Sequence, residues 1–365
     1  MKTDNSPILL VIDHFGSGGA QRQIVAIANG LVNLGLKVHI VNYYPQYTHH
    51  RNSIDKRILV HDLNKKGKLG VGVIISMIRL MRKYHYQSAL AFLDTPAFYL
   101  EIASLFCNGG IKIFFSERSA IELKPKGVLS GLKKKLHKLN SHITSNSIVQ
   151  TEILQNYYGD SKVSYVPNIM SDELFKLPLK GNKFESKTFI VLSHTRPFKN
   201  FEYVAQALVL YKKNYRTSPP VVQWYGELYP SKELDNIKTL LSENKLEDNI
   251  IFYGAVNNVK ELINDAYFLI HASLFESSAN AVAEALTSAT PVIVGNIPEH
   301  KAMIEQSSAG YLVDLKDPLE LTKAIKSAEN LSETDYSSLS QKARDYACLN
   351  HKSEYVIAKY NNLLS

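Results

Sequence analysis

Cysteine is scarce in this 365-residue chain: Cys107 and Cys348 are the only two. Two thiols so far apart exclude a disulfide scaffold and a cysteine-based metal site. Long apolar runs are missing as well. The best candidate, Ser88 to Phe106, is interrupted by Asp94, Pro96 and Glu101, and the run Ile8–Ile12 stops after five residues at Asp13. The first is no membrane span, and the second reads as a β-strand rather than a secretory signal. The expected compartment is the cytoplasm. No Gly-Lys-Ser/Thr triplet occurs, which excludes a P-loop.

Acidic residues are absent between Lys124 and Lys138, where six lysines fall. They carry most of the formal net charge of +8, leaving only +2 for the rest of the chain. Leu129, Leu132, Leu136, Leu139 and Ile143 recur at helical spacing, so a helix over about Val128–His142 is predicted, leucines on one face and lysines opposite. Such a face is either simply solvated or suited to an anionic membrane surface or a phosphate-bearing partner. Nucleic acid is not expected, since no recognised motif or basic, aromatic stripe accompanies the lysines.

At ~150 residues per domain the length suggests two domains. Short apolar runs at Ile8–Ile12, Lys37–Asn42, Ser88–Leu93, Ile111–Phe115, Ser147–Gln150 and Val163–Val166 alternate with segments of helical period. A second series follows at Thr188–Ser193, Val221–Tyr225, Ile250–Tyr253, Tyr267–Ile270, Pro291–Val294 and Tyr311–Val313. Alternation of this kind means βαβ units and parallel sheets. The expected organisation is an α/β domain over 1–170, a linker over 171–187, a second α/β domain over 188–345, and a C-terminal helix over 346–365 packing back on the first. Ligands of open α/β sheets bind outside the carboxyl ends of strands, so chemistry is sought just after each run.

Three post-strand segments qualify. Asp13 to Ala20 is a glycine loop opening a helix, where Gly18 and Gly19 let backbone approach a ligand. It fails as a dinucleotide fingerprint, because Gln21 replaces the third glycine and no ribose-binding acid follows the second strand. His194 to Asn200 carries Arg196 and Lys199, two cations able to neutralise a diphosphate. Ser273 to Leu286 brings Glu276 before a helix, Ser277 or Ser278 as its cap, and Glu284 eight residues after Glu276. Free N–H groups there offer an anion seat, and carboxylates beside it suit sugar hydroxyls.

This last segment resembles the Glu-x7-Glu signature of the retaining glycosyltransferases of family 4, of the kind that build bacterial surface polysaccharides. Gly18–Arg22, Phe115–Arg118, Val166–Asn168, Ser193–Lys199, Phe252–Gly254 and Gly295–Glu299 resemble further motifs in the right order. The resemblance implies the GT-B fold: two Rossmann-like parallel-sheet domains facing a central cleft, with a helical C-terminus. It implies an acceptor-side N-domain and a C-domain holding a UDP- or GDP-linked sugar. Glu284 would hold the ribose and Glu276 the transferred sugar. Arg196 and Lys199 would stabilise the departing diphosphate, helped by N–H groups near Ser277 and Ser278. Gly18 and Gly19 would close over the donor, and Tyr253 would lie in the base-flanking loop. Ser277-Ser278-Ala279 departs from the glycine and aromatic common after the first glutamate.

Sugar transfer with retention to a glycan or lipid-linked glycan, as in O-antigen, capsule or lipopolysaccharide synthesis, is the implied reaction. Asp94 and Glu117, each at a strand end, are acceptor-side candidates. No metal or other cofactor is expected, since Arg196 and Lys199 supply the charge and no Asp-x-Asp occurs. Peripheral attachment to the inner face of the cell membrane through Lys124–Lys138 is a further expectation. The alternatives are a GT-B sugar-nucleotide epimerase or hydrolase, and a non-catalytic nucleotide-sugar-binding module.

Overall fold

In a computed structural model, residues 6–107, 110–119, 127–177, 183–256 and 258–365 are described. By its contacts the chain divides into two compact units: the chain up to Ile169 together with Ser353–Ser365, and Met170–Lys352.

The first unit runs β1 (Ile8–Val11), α1 (Gly19–Asn33), β2 (Val38–Asn42), β3 (Leu59–Asp62), α2 (Val71–Tyr84), β4 (Ser88–Phe92), α3 (Asp94–Ser104), β5 (Lys112–Glu117), α4 (Val128–Leu136), β6 (His142–Ser145), α5 (Ile148–Tyr158) and β7 (Val163–Tyr165). Its seven described strands are parallel, in the order β3-β2-β1-β4-β5-β6-β7. β1 and β4 are buried at every position, as strands covered on both faces must be. Val11 pairs with both Val41 and Ala91, so the loops after β1 and β4 leave the sheet at one level.

The second unit runs α6 (Asp172–Lys176), α7 (Lys183–Ser186), β8 (Phe189–Leu192), α8 (Phe201–Tyr215), β9 (Val222–Tyr225), α9 (Lys232–Glu243), β10 (Ile250–Gly254), α10 (Val259–Asp265), β11 (Phe268–His271), α11 (Asn280–Thr287), β12 (Val292–Gly295), α12 (Pro298–Ser307), β13 (Gly310–Val313), α13 (Pro318–Glu329) and α14 (Glu333–Asn350). Its six described strands are parallel in the order β10-β9-β8-β11-β12-β13. Two Rossmann-like units and a helical C-terminus are thus present, as expected. Among the described residues no helix is long and apolar enough to cross a membrane.

Three expectations fail locally. The helix predicted to His142 ends at Leu136, continues as a 3-10 turn over His137–Leu139, and gives way to β6. Ser147–Gln150 is not a strand: the Ser147 hydroxyl accepts the Gln150 N–H and caps α5. The faces of α4 are also not as predicted. Lys133 turns inward onto Asp94 and Thr95, whereas Val128, Leu129 and Leu132 are 93%, 55% and 47% exposed. Lys124 and Lys126 lie outside the described residues.

The final helix, α15 (Ser353–Leu364), belongs to the first unit. Val356, Tyr360 and Leu364 share a core with Ile24, Ile27 and Leu31 of α1. Glycine at position 30 permits this approach, because a Cβ there would meet Ile357 Cδ1 at 2.0 Å. The buried Arg118 guanidinium fastens the helix by donating to Tyr360 Oη, Asn168 Oδ1 and Ser116 Oγ while lying 4.6 Å from the Phe92 ring centre. Arg118 thus joins Phe115–Arg118, Val166–Asn168 and the C-terminal helix. Arg118→Ala removes three buried hydrogen bonds and is expected to cost about 2–4 kcal/mol, and Tyr360→Phe about 1 kcal/mol. Urea denaturation followed by circular dichroism checks both; equal midpoints for wild type and Arg118→Ala would refute the clasp.

Candidate active site

In the second unit the strand order reverses between β8 and β11, the place where an open parallel sheet leaves a crevice for ligands. The loop after β8 turns through a 3-10 helix at Pro197–Lys199. Its Phe198 carbonyl accepts the Leu274 N–H at 2.8 Å, tying it to the loop after β11. Across this join Lys199 Nζ donates to Glu276 Oε1 at 2.5 Å, and His271 Nε2 lies 2.9 Å from the same oxygen. Burial alone would raise the Glu276 pKa. The His271 hydrogen bond and the charges of His271 and Lys199 outweigh it and hold the carboxyl well below the usual range.

The other expected residues surround this cluster in different ways. Arg196 is exposed, its guanidinium 5.1 Å from the Tyr229 ring centre. The first helix after β11 is capped by Ala279 with no side-chain hydrogen bond, so neither Ser277 nor Ser278 is its cap. Glu284 is half-buried in the middle of α11. Tyr253, at the end of the edge strand β10, is exposed and stacks on Tyr225 with ring centres 4.9 Å apart.

His271 and His300 were missed by sequence reasoning. Their rings lie 5.3 Å apart, and His300 Nδ1 is 3.0 Å from the Gly295 carbonyl. Burial drives the His300 pKa down to about 3, so this ring is neutral. His271 is the last residue of β11, and the rule that chemistry follows strand ends would have flagged it.

In the first unit the order reverses between β1 and β4. Gly18 precedes α1 and Gly19 opens it. A Cβ at Gly18 would lie 2.1 Å from Gln21 Oε1, and Gln21 Nε2 donates to Asp13 Oδ1 at 2.9 Å. Gln21 therefore braces the loop where a dinucleotide fingerprint has glycine. Glu117 is buried, and its Oε1 accepts from Arg118 N, Ser119 N and Ser119 Oγ, so this carboxylate shapes its own loop.

Asp94 instead opens α3 and lines a cavity of about 510 Å³ with Asp13, Thr95, Ser119, Leu129 and Lys133. A larger cavity, about 740 Å³, adjoins the amino ends of β1, β4 and β5, opposite the loops just described.

Residues 176–346 match the family model described as glycosyl transferases group 1. An uncharacterized glycosyltransferase of Haemophilus influenzae is 22% identical over 90% of this chain and 91% of its own length. The UDP-Gal:alpha-D-GlcNAc-diphosphoundecaprenol alpha-1,3-galactosyltransferase of Escherichia coli is 23% identical over 45% of this chain and 44% of its own. Among solved structures, Anabaena Alr3699/HepE in complex with UDP and glucose superposes with a TM-score of 0.78 at 14% identity, covering 98% of this chain and 99% of that one. Residues 176–346 thus resemble the group 1 glycosyltransferases, and the chain as a whole shares the GT-B fold of the solved structures.

Proposed function

We propose that the chain is a retaining family 4 glycosyltransferase of hexosyl or N-acetylhexosaminyl type acting in cell-surface polysaccharide synthesis. The reading rests above all on the Lys199–Glu276–His271 cluster at the β8/β11 switch point, with Arg196 on the same loop as Lys199. The donor is a UDP- or GDP-linked sugar, and the acceptor is a glycan or lipid-linked glycan. The E. coli relative is named for a UDP-sugar and a diphospholipid acceptor, and HepE was solved with UDP and glucose.

The bond from the anomeric carbon to the diphosphate oxygen breaks, and its electron pair leaves with the diphosphate. The acceptor oxygen forms the new bond and passes its proton to the departing diphosphate. Arg196, Lys199 and the start of α11 meet the growing negative charge, and cations already in place need little reorganisation as it develops. Lys199 begins paired to Glu276, so a diphosphate must share it, leaving Glu276 to take sugar hydroxyls. Glu284 holds the ribose, and Tyr253 offers its exposed face to the base. No metal is needed for this charge balance.

On this reading the basic segment is a membrane-docking surface for anionic lipid. Exposed Val128, Leu129 and Leu132 share α4 with Lys134 and Lys135, with Lys138 just beyond it. Lys133 is occupied by Asp94 and is not part of that surface.

Arg196→Ala or Glu284→Ala is expected to lower turnover about 10²-fold or more with the fold intact by circular dichroism. Near-normal transfer by either purified variant would overturn the site assignment. Saturating a UDP- or GDP-sugar at 100 times its dissociation constant should stabilise the chain by about 2.7 kcal/mol in a thermal-shift screen, undiminished by EDTA. For the membrane surface, Lys134→Glu, Lys135→Glu and Lys138→Glu together should weaken sedimentation with phosphatidylglycerol-containing vesicles by roughly 10²-fold or more, at ~1 kcal/mol per lysine lost. Unchanged sedimentation would leave the lysines a solvated face.

A further inference from the structure

The first unit buries a charge array that the proposed donor chemistry does not use. His137 is 3% exposed and stacks on Phe115, with ring centres 4.5 Å apart. Its Nδ1 is 2.7 Å from Glu101 Oε1 and its Nε2 is 3.2 Å from Asp94 Oδ1. Carboxylates only accept, so both ring nitrogens must donate, and the ring is an imidazolium. Burial works against that charge, but the hydrogen bonds and charges of Asp94 and Glu101 prevail and push the His137 pKa up to about 9.

Glu101 is fully buried and also accepts from Asn140 Nδ2 at 2.6 Å, while Lys133 Nζ donates to Asp94 Oδ2. Two carboxylates and two cations balance. A buried ionic array of this kind is a weak source of stability, because desolvation cancels most of the attraction.

What the array does instead is fix Asp94, whose side chain keeps 23% exposure at the cavity beyond β4. The preceding residue, Leu93, takes φ 73° and ψ 154°, a strained conformation for a residue with a Cβ. Thr95, Ser119 and Ser130 add hydroxyl groups to the cavity; Leu93, Pro96, Val128 and Leu129 add apolar wall. With Asp13 present and Lys133 already paired, the cavity suits an uncharged polar group better than a phosphate.

We propose that His137 is a positioning residue, holding the Asp94 carboxylate to accept a hydrogen bond from a neutral sugar hydroxyl whose apolar aglycone lies against Val128 and Leu129. This deepens the transferase reading, on which it rests, by assigning the acceptor end. Besides Asp94 and Glu101 on α3 and Lys133 on α4, ionisable groups near the array among the described residues include Glu117 of β5, Tyr158 of α5 and, across the cavity, Asp13. The Tyr158 pKa is raised by burial, with Glu101, Glu117 and Asp94 adding to it.

The probes are n-octyl glucoside, galactoside and N-acetylglucosaminide below their micelle concentrations, titrated into the full chain and read on the ring signals of labelled histidines, assigned with His137→Gln. At least one should bind and shift the His137 signals. Its affinity should hold through neutral pH and fall as pH rises through about 9, where the imidazolium loses its proton.

The paired variant His137→Gln/Glu101→Gln removes one buried charge of each sign. It should bind about tenfold or more weakly, lose the alkaline fall, and keep wild-type affinity for UDP and GDP. Asp94→Asn should weaken glycoside binding at least as much, and it tests the site even if the paired variant does not fold. Wild-type affinity in folded Asp94→Asn, an unchanged alkaline fall in the folded paired variant, or no binding by any of the three glycosides overturns the inference. Failure of nucleotide sugars to bind would instead overturn the donor reading and leave the glycoside result standing.

Discussion

A parallel sheet that grows outward from its first strand in both directions must part its connections at that strand, because each crossover keeps the same hand. β1 lies between β2 and β4, and β8 lies between β9 and β11. In each sheet the loops that leave these central strands diverge, and the carboxyl ends there are left uncovered by the flanking helices. Asp13 and Asp94 follow β1 and β4; Arg196, Lys199 and Glu276 follow β8 and β11. Chain segments about 80 residues apart meet at these places without any local sequence signal, since topology alone brings them together. Glu284 rides on the helix that the second of these loops begins.

Both gaps hold charge partly withdrawn from water, and they differ in how it is balanced. In the second unit one carboxylate, Glu276, is shared by a lysine and a histidine, so its charge is held by groups that an incoming anion would also attract. In the first unit His137 lies between two carboxylates, and Lys133 completes the balance from the rim. Removing a single charge from water costs several kcal/mol, of the order that pairing returns, so neither cluster is explained as a source of stability. Arg118 differs again. Its guanidinium is met by neutral oxygens and the face of Phe92, and what it joins is the β5 loop, the loop after β7 and α15, all structural.

Sequence pattern finds a strand when burial is hydrophobic on both faces, which is why β1, β4, β11 and β12 were legible. It does not find β3, whose Leu-Val-His-Asp lies at the sheet edge with both ends exposed. Nor does it find β6. There Thr144 and Ser145 are buried through hydrogen bonds, Thr144 Oγ1 to Ser116 Oγ at 2.9 Å and Ser145 Oγ to the Ser147 carbonyl at 3.3 Å. A hydropathy pattern sees only Ile143, which falls in phase with the leucines before it and extends the apparent helix. The site shows the same division. Loop residues after strands were legible one by one, but Glu101 and His137, 36 positions apart, are joined only by tertiary packing.

The leucines of α4 show what periodicity leaves undetermined. A 3.6-residue repeat says which side chains share a face, and an apolar face is ordinarily turned inward. Here the inward direction is decided by one residue. Lys133 meets Asp94, and a half-buried carboxylate beside a second, fully buried one gains more from a nearby cation than from a leucine. With Lys133 inward, Val128 and Leu132 are left exposed and Leu129, one turn before Lys133, lies at the cavity rim, at about 25 cal/mol for each Å² of apolar surface kept in water. The exposed apolar rim of the first-unit cavity is therefore a consequence of its carboxylates. Charge pairing inside the sheet's carboxyl end determines which surface the helix offers outside it.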